Sequence, residues 1–85
     1  MKVLYFAWLR QRVGCDQEEV TPPASVTTVA ALIDWLKTRS ARHAEALKDS
    51  SVVRVAVNQE YARPGDSVGP NDEIALFPPV TGGSA

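Results

Sequence analysis

One amphipathic helical stripe in mid-chain, flanked by strand-like runs, limits what these 85 residues can fold into. Thr28 offers a hydroxyl that can accept from an unpaired backbone N–H at a helix start. Val29, Leu32, Ile33 and Leu36 then recur at i, i+3, i+4 and i+7, which puts them on one helix face. Asp34, Lys37 and Arg39 fall off that face. Before the helix, Lys2 to Leu9 alternates, with Val3, Tyr5, Ala7 and Leu9 on one side and Leu4, Phe6 and Trp8 on the other. Both sides are apolar, so the expectation is a central strand from Lys2 to Leu9 with a helix over one face. Arg10 to Val13 then makes a short helical turn ended by Gly14.

Glu18 to Thr21 is expected as a second strand, stopped by Pro22-Pro23 and paired with the first as a hairpin. Ala41 to Leu47 reads as a second short helix and Ser51 to Val57 as a strand. Asn58-Gln59 turns the chain into a brief strand near Tyr61. Turns at Arg63-Pro64-Gly65-Asp66 and Pro70-Asn71-Asp72 precede the last strand, Glu73 to Phe77. The order of hairpin, helix, then strands predicts an α+β fold with one main helix packed across a mixed sheet. The two-sided apolar first and last strands belong side by side and parallel at its centre.

Several function classes are excluded at this level. A net charge of −1 leaves no electrostatic footprint for nucleic acid or anionic lipid, so neither is an expected partner. No apolar run approaches the roughly 20 residues that span a bilayer. One cysteine cannot form an internal disulfide, and the expected compartment is the cytoplasm. No metal or cofactor is expected to bind. His43 is the only histidine, and Arg42 and Glu45 beside it point to a solvated helix. Cys15 has Gly14 and Asp16 as neighbours and reads as an inert thiol. Asp16, Glu18 and Glu19 read as a solvated edge. Gly65 and Gly69 belong to no phosphate-binding pattern. Trp8 and Trp35 read as core or interface aromatics.

The chemistry lies at the C-terminus, in Phe77-Pro78-Pro79-Val80-Thr81-Gly82-Gly83. Two prolines stop the strand, and two glycines can pass a channel too narrow for side chains. On the glycines alone, a frayed end and a threading tail are both open readings. A glycine carboxylate is a poor acyl donor. Transfer of AMP to it makes a reactive acyl-adenylate, and a sulfur donor then leaves a thiocarboxylate, a good nucleophile.

This segment closely resembles the C-terminal signature of the small, sulfur-carrying subunit of molybdopterin synthase (MoaD-like). Lys2 to Ala7 with Leu9-Arg10 and Val13-Gly14, Val57-Asn58-Gln59 and Asn71-Asp72-Glu73 resemble that family's other landmarks. The resemblance implies a ubiquitin-like β-grasp domain over residues 1–79 and a flexible diglycine tail over 80–85. It implies that Gly83 bears the thiocarboxylate and that Gly82 gives clearance. It also implies partner contacts at Arg10, Tyr61, Phe77, Pro78, Pro79, Val80 and Thr81. The implied partners are an E1-like adenylating enzyme that uses ATP, a sulfur donor protein and the synthase large subunit. The small subunit is then a sulfur-donating co-substrate that catalyses nothing alone. The chain departs from the pattern at Ser84-Ala85, because the family's working form ends at the second glycine. A tail-trimming protease is therefore a further implied partner. Two alternatives stand beside this reading. One is a sulfur carrier for thiamine or cysteine synthesis. The other is a ubiquitin-like interaction module without tail chemistry.

Overall fold

The structure is a computed structural model and describes residues 1–79; Val80, Thr81, Gly82, Gly83, Ser84 and Ala85 lie outside the described residues. Five strands are formed: β1 (Lys2–Tyr5), β2 (Gln17–Glu19), β3 (Arg54–Val57), β4 (Glu60–Ala62) and β5 (Glu73–Phe77). Three α-helices join them: α1 (Ala7–Val13), α2 (Val29–Lys37) and α3 (Ala41–Ala46). The sheet order is β2-β1-β5-β3-β4. β1 and β5 run parallel, and the other neighbours are antiparallel. This is the mixed β-grasp sheet expected, with the first and last strands paired near its centre.

Alternation sorts each strand into two faces. Val3 pairs with Ile74 and Tyr5 with Leu76, and Val55 lies opposite Leu76 on the other flank of β5. All five are buried, and they meet Val29, Leu32, Ile33 and Leu36 of α2 in one core. The expected helical stripe is therefore the buried face of α2. Thr28 caps it as expected, its Oγ1 accepting from the Ala31 N–H at 3.2 Å. The next orphan donors are met by the loop after β4: Val29 N–H donates to Asp66 O and Ala30 N–H to Pro64 O, each at 2.9 Å. A helix start buried against a loop needs such partners.

Several expected boundaries are corrected, and the second strand runs Gln17–Glu19, not Glu18 to Thr21. The first strand ends at Tyr5, not Leu9, and α1 starts at Ala7. Leu9 and Val13, four apart, are buried on one face of α1, and the Arg12 guanidinium lies 4.9 Å over the Trp8 ring, also four apart. That period is helical, and the turn into it is made by Ala7 in the left-handed region at φ 55°. The expected β1–β2 hairpin is an antiparallel pair with α1 in its connection. The strand expected from Ser51 starts at Arg54, because Ser50–Val52 forms a 3₁₀ turn. Asp49 accepts there from both the N–H and the hydroxyl of Ser51, and such local side-chain bonds compete with a sheet ladder.

His43 and Glu18 also depart from expectation. His43 is only 8% exposed, and its Nε2 lies 2.7 Å from Glu18 Oε2. The Tyr5 hydroxyl donates to the same oxygen at 2.6 Å, and Arg39 lies 3.6 Å from the other. Ser40 Oγ lies 2.7 Å from His43 Nδ1 and also caps α3 by accepting from the His43 N–H. One carboxylate thus ties β1, β2 and α3 together. Next in sequence to His43, Arg42 donates to Gln11 O and Arg12 O at the end of α1. Gly14 ends that helix at φ 100°, where a Cβ would meet the Arg42 guanidinium at 3.0 Å. Burial pulls the Glu18 carboxyl upward, but hydrogen bonds from Tyr5 and His43 and the Arg39 charge outweigh it and hold it below its ordinary range. Burial, followed by the Glu18 carboxylate, raises the Tyr5 phenol.

Two predictions follow from this packing. Leu32 is fully buried, so Leu32→Ala should cost about 2–5 kcal/mol in urea unfolding. That is a large share of the roughly 5–15 kcal/mol that holds a domain folded. Glu18→Gln should cost about 1.5–3 kcal/mol near neutral pH, the usual worth of a hydrogen bond to a charged group. A carboxyl depressed on folding contributes stability above its unfolded pKa and loses it as pH falls through the folded one. The wild-type advantage over Glu18→Gln should therefore shrink as unfolding curves are taken from pH 7 to pH 3.

Candidate functional site

The sheet face opposite the core carries the candidate site. Leu4, Ala75, Ala56 and Tyr61 stand opposite one another across β1, β5, β3 and β4. The next row pairs Phe77 with Arg54. The Tyr61 and Phe77 rings lie 5.9 Å apart between centroids, meeting over β3, which separates their two strands. Tyr61 is 83% exposed, while Leu4, Ala56, Ala75 and Phe77 are half-buried, so an apolar face is left open. Phe77 therefore points away from the core, since Ile74 and Leu76 of the same strand take the buried side. Tyr61 is placed by a two-residue turn in which Asn58 and Gln59 both have positive φ, at 52° and 71°. Such turns match the twist of paired strands. Asn58 is held by its side chain: its Oδ1 accepts from Glu73 N–H and its Nδ2 donates to Asp72 Oδ1, both at 3.0 Å. Hydrogen bonds from Asn58 and from the Gly69 N–H lower the Asp72 carboxyl.

β5 leads to the chain end, and Pro78 and Pro79, both half-buried, are the last described residues. The start of α1 sits beside this exit, because Phe6 N–H donates to Leu76 O at 3.1 Å. Arg10 is exposed one turn into α1, and its side chain makes no hydrogen bond or ion pair among the described residues. The structure thus brings Tyr61 and Phe77 together and leaves Arg10 apart, on the helix that starts beside the exit. The expected site residues Val80, Thr81, Gly82 and Gly83 lie outside the described residues, as does Ser84-Ala85.

Sequence reasoning did not single out Phe6, which is 46% exposed next to the β5 exit. A signal was present: Leu4 and Phe6 share one side of the β1 alternation, as Ala75 and Phe77 do in β5. Superposing the two alternations marks an apolar face that α2 does not cover.

Side-chain chemistry of other kinds finds little support. Cys15 is half-buried, and burial, then the Glu18 and Asp16 charges, push its thiol upward, away from the reactive thiolate. The inert reading of Cys15 agrees with this. Both lone-pair sides of Glu18 and both ring nitrogens of His43 are already engaged within the protein. Among the described residues no group of three or more His, Cys, Asp or Glu side chains could hold a metal ion. No helix among them is long and apolar enough to cross a membrane. Trp8 and Trp35 are partly buried against the core, and Arg39 lies 5.1 Å over the Trp35 ring.

Known proteins resemble this chain over nearly its full length. The chain is 43% identical to the molybdopterin synthase sulfur carrier subunit of Escherichia coli, over 98% of this chain and 99% of the relative. It is 35% identical to the human molybdopterin synthase sulfur carrier subunit, over 98% of this chain and 93% of that one. The solved structure of small archaeal modifier protein 1 from Haloferax volcanii superposes with a TM-score of 0.74 at 30% identity. That match covers 94% of this chain and 97% of the other. Residues 3–83, which take in every strand and helix from Val3 onward and reach the diglycine, match the ThiS family, and the chain belongs to that family.

Proposed function

We propose that this protein is the sulfur carrier of molybdopterin synthesis, loaded at the carboxyl group of Gly83. The observations that carry the reading are a ThiS family match over residues 3–83 and a near full-length similarity to relatives named as molybdopterin synthase sulfur carrier subunits. The body offers a rigid sheet with an open apolar face beside its last strand.

The chemistry runs stepwise on the carrier. A Gly83 carboxylate oxygen attacks the α-phosphorus of ATP on an activating enzyme, a P–O bond forms and pyrophosphate leaves. A donor protein's sulfur then adds at the carbonyl carbon and AMP leaves. With a persulfide donor the product is an acyl disulfide. A thiol attacks the donor's cysteine sulfur, and the S–S bond to the acyl sulfur breaks. Thiol and donor leave as a disulfide, and –CO–S⁻ remains. The loaded tail enters the synthase large subunit, where the sulfur anion attacks a pterin precursor. Gly82 gives the tail clearance, because a Cβ there would widen it. The carrier supplies the reacting sulfur and its partner supplies the catalytic groups. No cofactor need bind to the carrier itself.

Ser84-Ala85 bears on this directly. A Gly83 carbonyl held in a peptide bond to Ser84 cannot be adenylated, and loading Ala85 instead would place sulfur ~7 Å too far along. Removal of the two residues by a protease makes the chain competent. Given activating enzyme, ATP and a sulfur donor, the form ending at Gly83 should accept sulfur and support dithiolene formation. The form ending at Ala85 should do neither. Equal activity of both, with intact mass showing no trimming, would overturn the assignment to Gly83.

Partner binding gives a second test. Tyr61 and Phe77 form the aromatic pair of the open face, and exposed aromatics of this kind are typical interface anchors. Tyr61→Ala with Phe77→Ala should weaken binding to the large subunit or the activating enzyme by about 2 kcal/mol or more in calorimetry. Unchanged affinity for both partners would remove the pair from the site.

A further inference from the structure

The open sheet face carries three rows of side chains that run across the strands. At the end where the tail leaves, Phe77 stands beside Arg54. Phe6 lies on the other flank of β5, where its N–H donates to Leu76 O. The middle row holds Leu4, Ala75, Ala56 and Tyr61. At the far end Lys2 lies between Glu19 and Glu73. Arg54, Lys2 and Glu73 form no ion pair among the described residues. The face therefore has an apolar centre, a cation at the tail end and two carboxylates at the far end. Such a surface is complementary to itself when one copy is turned end for end.

We propose that this face is the contact of a two-fold dimer, its occupant a second copy of the chain. Two simple two-fold arrangements stack one middle row on the other, and charge decides between them. An axis along the strands brings the two far rows together, with their carboxylates, and leaves Arg54 with no carboxylate across from it. An axis along the rows makes the strands of the two copies antiparallel, so each tail row covers the other copy's far row. Phe6 then meets the partner's Lys2, a cation over an aromatic ring. Arg54 comes within about one strand spacing, ~4.8 Å, of the partner's Glu73. Each contact occurs twice by symmetry. Across the five strands the three rows span roughly 20 Å by 13 Å. That is small beside the ~800 Å² per partner of a standard stable interface, so the dimer is weak and its population rises with concentration. The dimer stands on the face alone, without the functional reading. Its consequence rests on that reading: Tyr61 and Phe77 are covered in the dimer, so contacts expected there for other proteins are open only in the monomer.

The test uses the full chain in solution. Translational diffusion and amide NMR shifts are followed as wild type is diluted from millimolar to micromolar concentration. Slower diffusion at the concentrated end is the expected result, with shift changes gathered at Leu4, Ala56, Tyr61 and Ala75. A chain that stays monomeric at millimolar concentration overturns the proposal, as do shift changes gathered on α2 or α3. Arg54→Glu and Glu73→Arg each set like charges across the contact, and each change acts at both symmetric sites. Either variant alone should therefore dimerise about tenfold more weakly or worse. Mixed in equal amounts, the two variants set opposite charges together at both ends, and a heterodimer of near wild-type strength should return. Unchanged dimerisation of either folded variant, or no heterodimer on mixing, overturns the end-for-end contact. The dilution series reads wild type alone, so it decides the matter even where a variant fails to fold.

Discussion

The parallel pairing of β1 with β5 is the constraint on which the rest of the molecule depends. Lys2, Val3, Leu4 and Tyr5 align with Glu73, Ile74, Ala75 and Leu76. The last strand is thereby placed between β1 and β3, in the interior of the sheet. Its buried side, Ile74 and Leu76, is fully enclosed with Val3 and Tyr5 against α2. Parallel pairing requires a long crossover, and the intervening chain supplies α2 to cover one face. The other face keeps Leu4, Ala75, Ala56, Tyr61 and Phe77 open. A chain end that leaves from the middle of a rigid sheet, beside an apolar face, is held firmly at its base. That geometry suits a tail presented to another protein.

Much of this was legible because the decisive signals were periodic. The α2 stripe and its Thr28 cap were readable from spacing, and β5 was readable from alternation closed by Pro78-Pro79. Asn58-Gln59 announced the turn that carries Tyr61. Legibility failed where two periods overlapped. Lys2 to Leu9 satisfies a period of two throughout, yet Leu9 and Val13 also satisfy a helical period, and tertiary packing against α3 favours the latter. It failed again where a polar residue is buried by distant partners. Nothing local to His43 announces Glu18 and Tyr5, which lie 25 and 38 positions away along the chain. The same distance hid Glu18 within what read as a solvated acidic edge. Family resemblance named Tyr61 and Phe77 as expected partner contacts, but their mutual contact was not legible, because it depends on sheet order and register.

The polar interactions hold the elements of the body together. Glu18, His43, Ser40, Arg39 and Arg42 spend their bonding capacity on locking α1 and α3 to the sheet. The Asn58–Asp72 clasp fixes the turn behind Tyr61. An 85-residue domain has limited core to draw on. Such cross-links stiffen the body without adding reactive groups to it.

The central claim is that Gly83 carries sulfur, and intact mass measurement tests it most directly. The protein is isolated from its native cells under conditions that preserve thiocarboxylates, and its mass and C-terminal fragment ions are read. The account predicts a species that ends at Gly83, heavier than the plain chain by the exchange of one oxygen for one sulfur, with the gain confined to the last residue. It also predicts that this gain disappears in cells lacking the activating enzyme. A chain that ends at Ala85 in every fraction, with no sulfur gain while molybdopterin is being made, would contradict it.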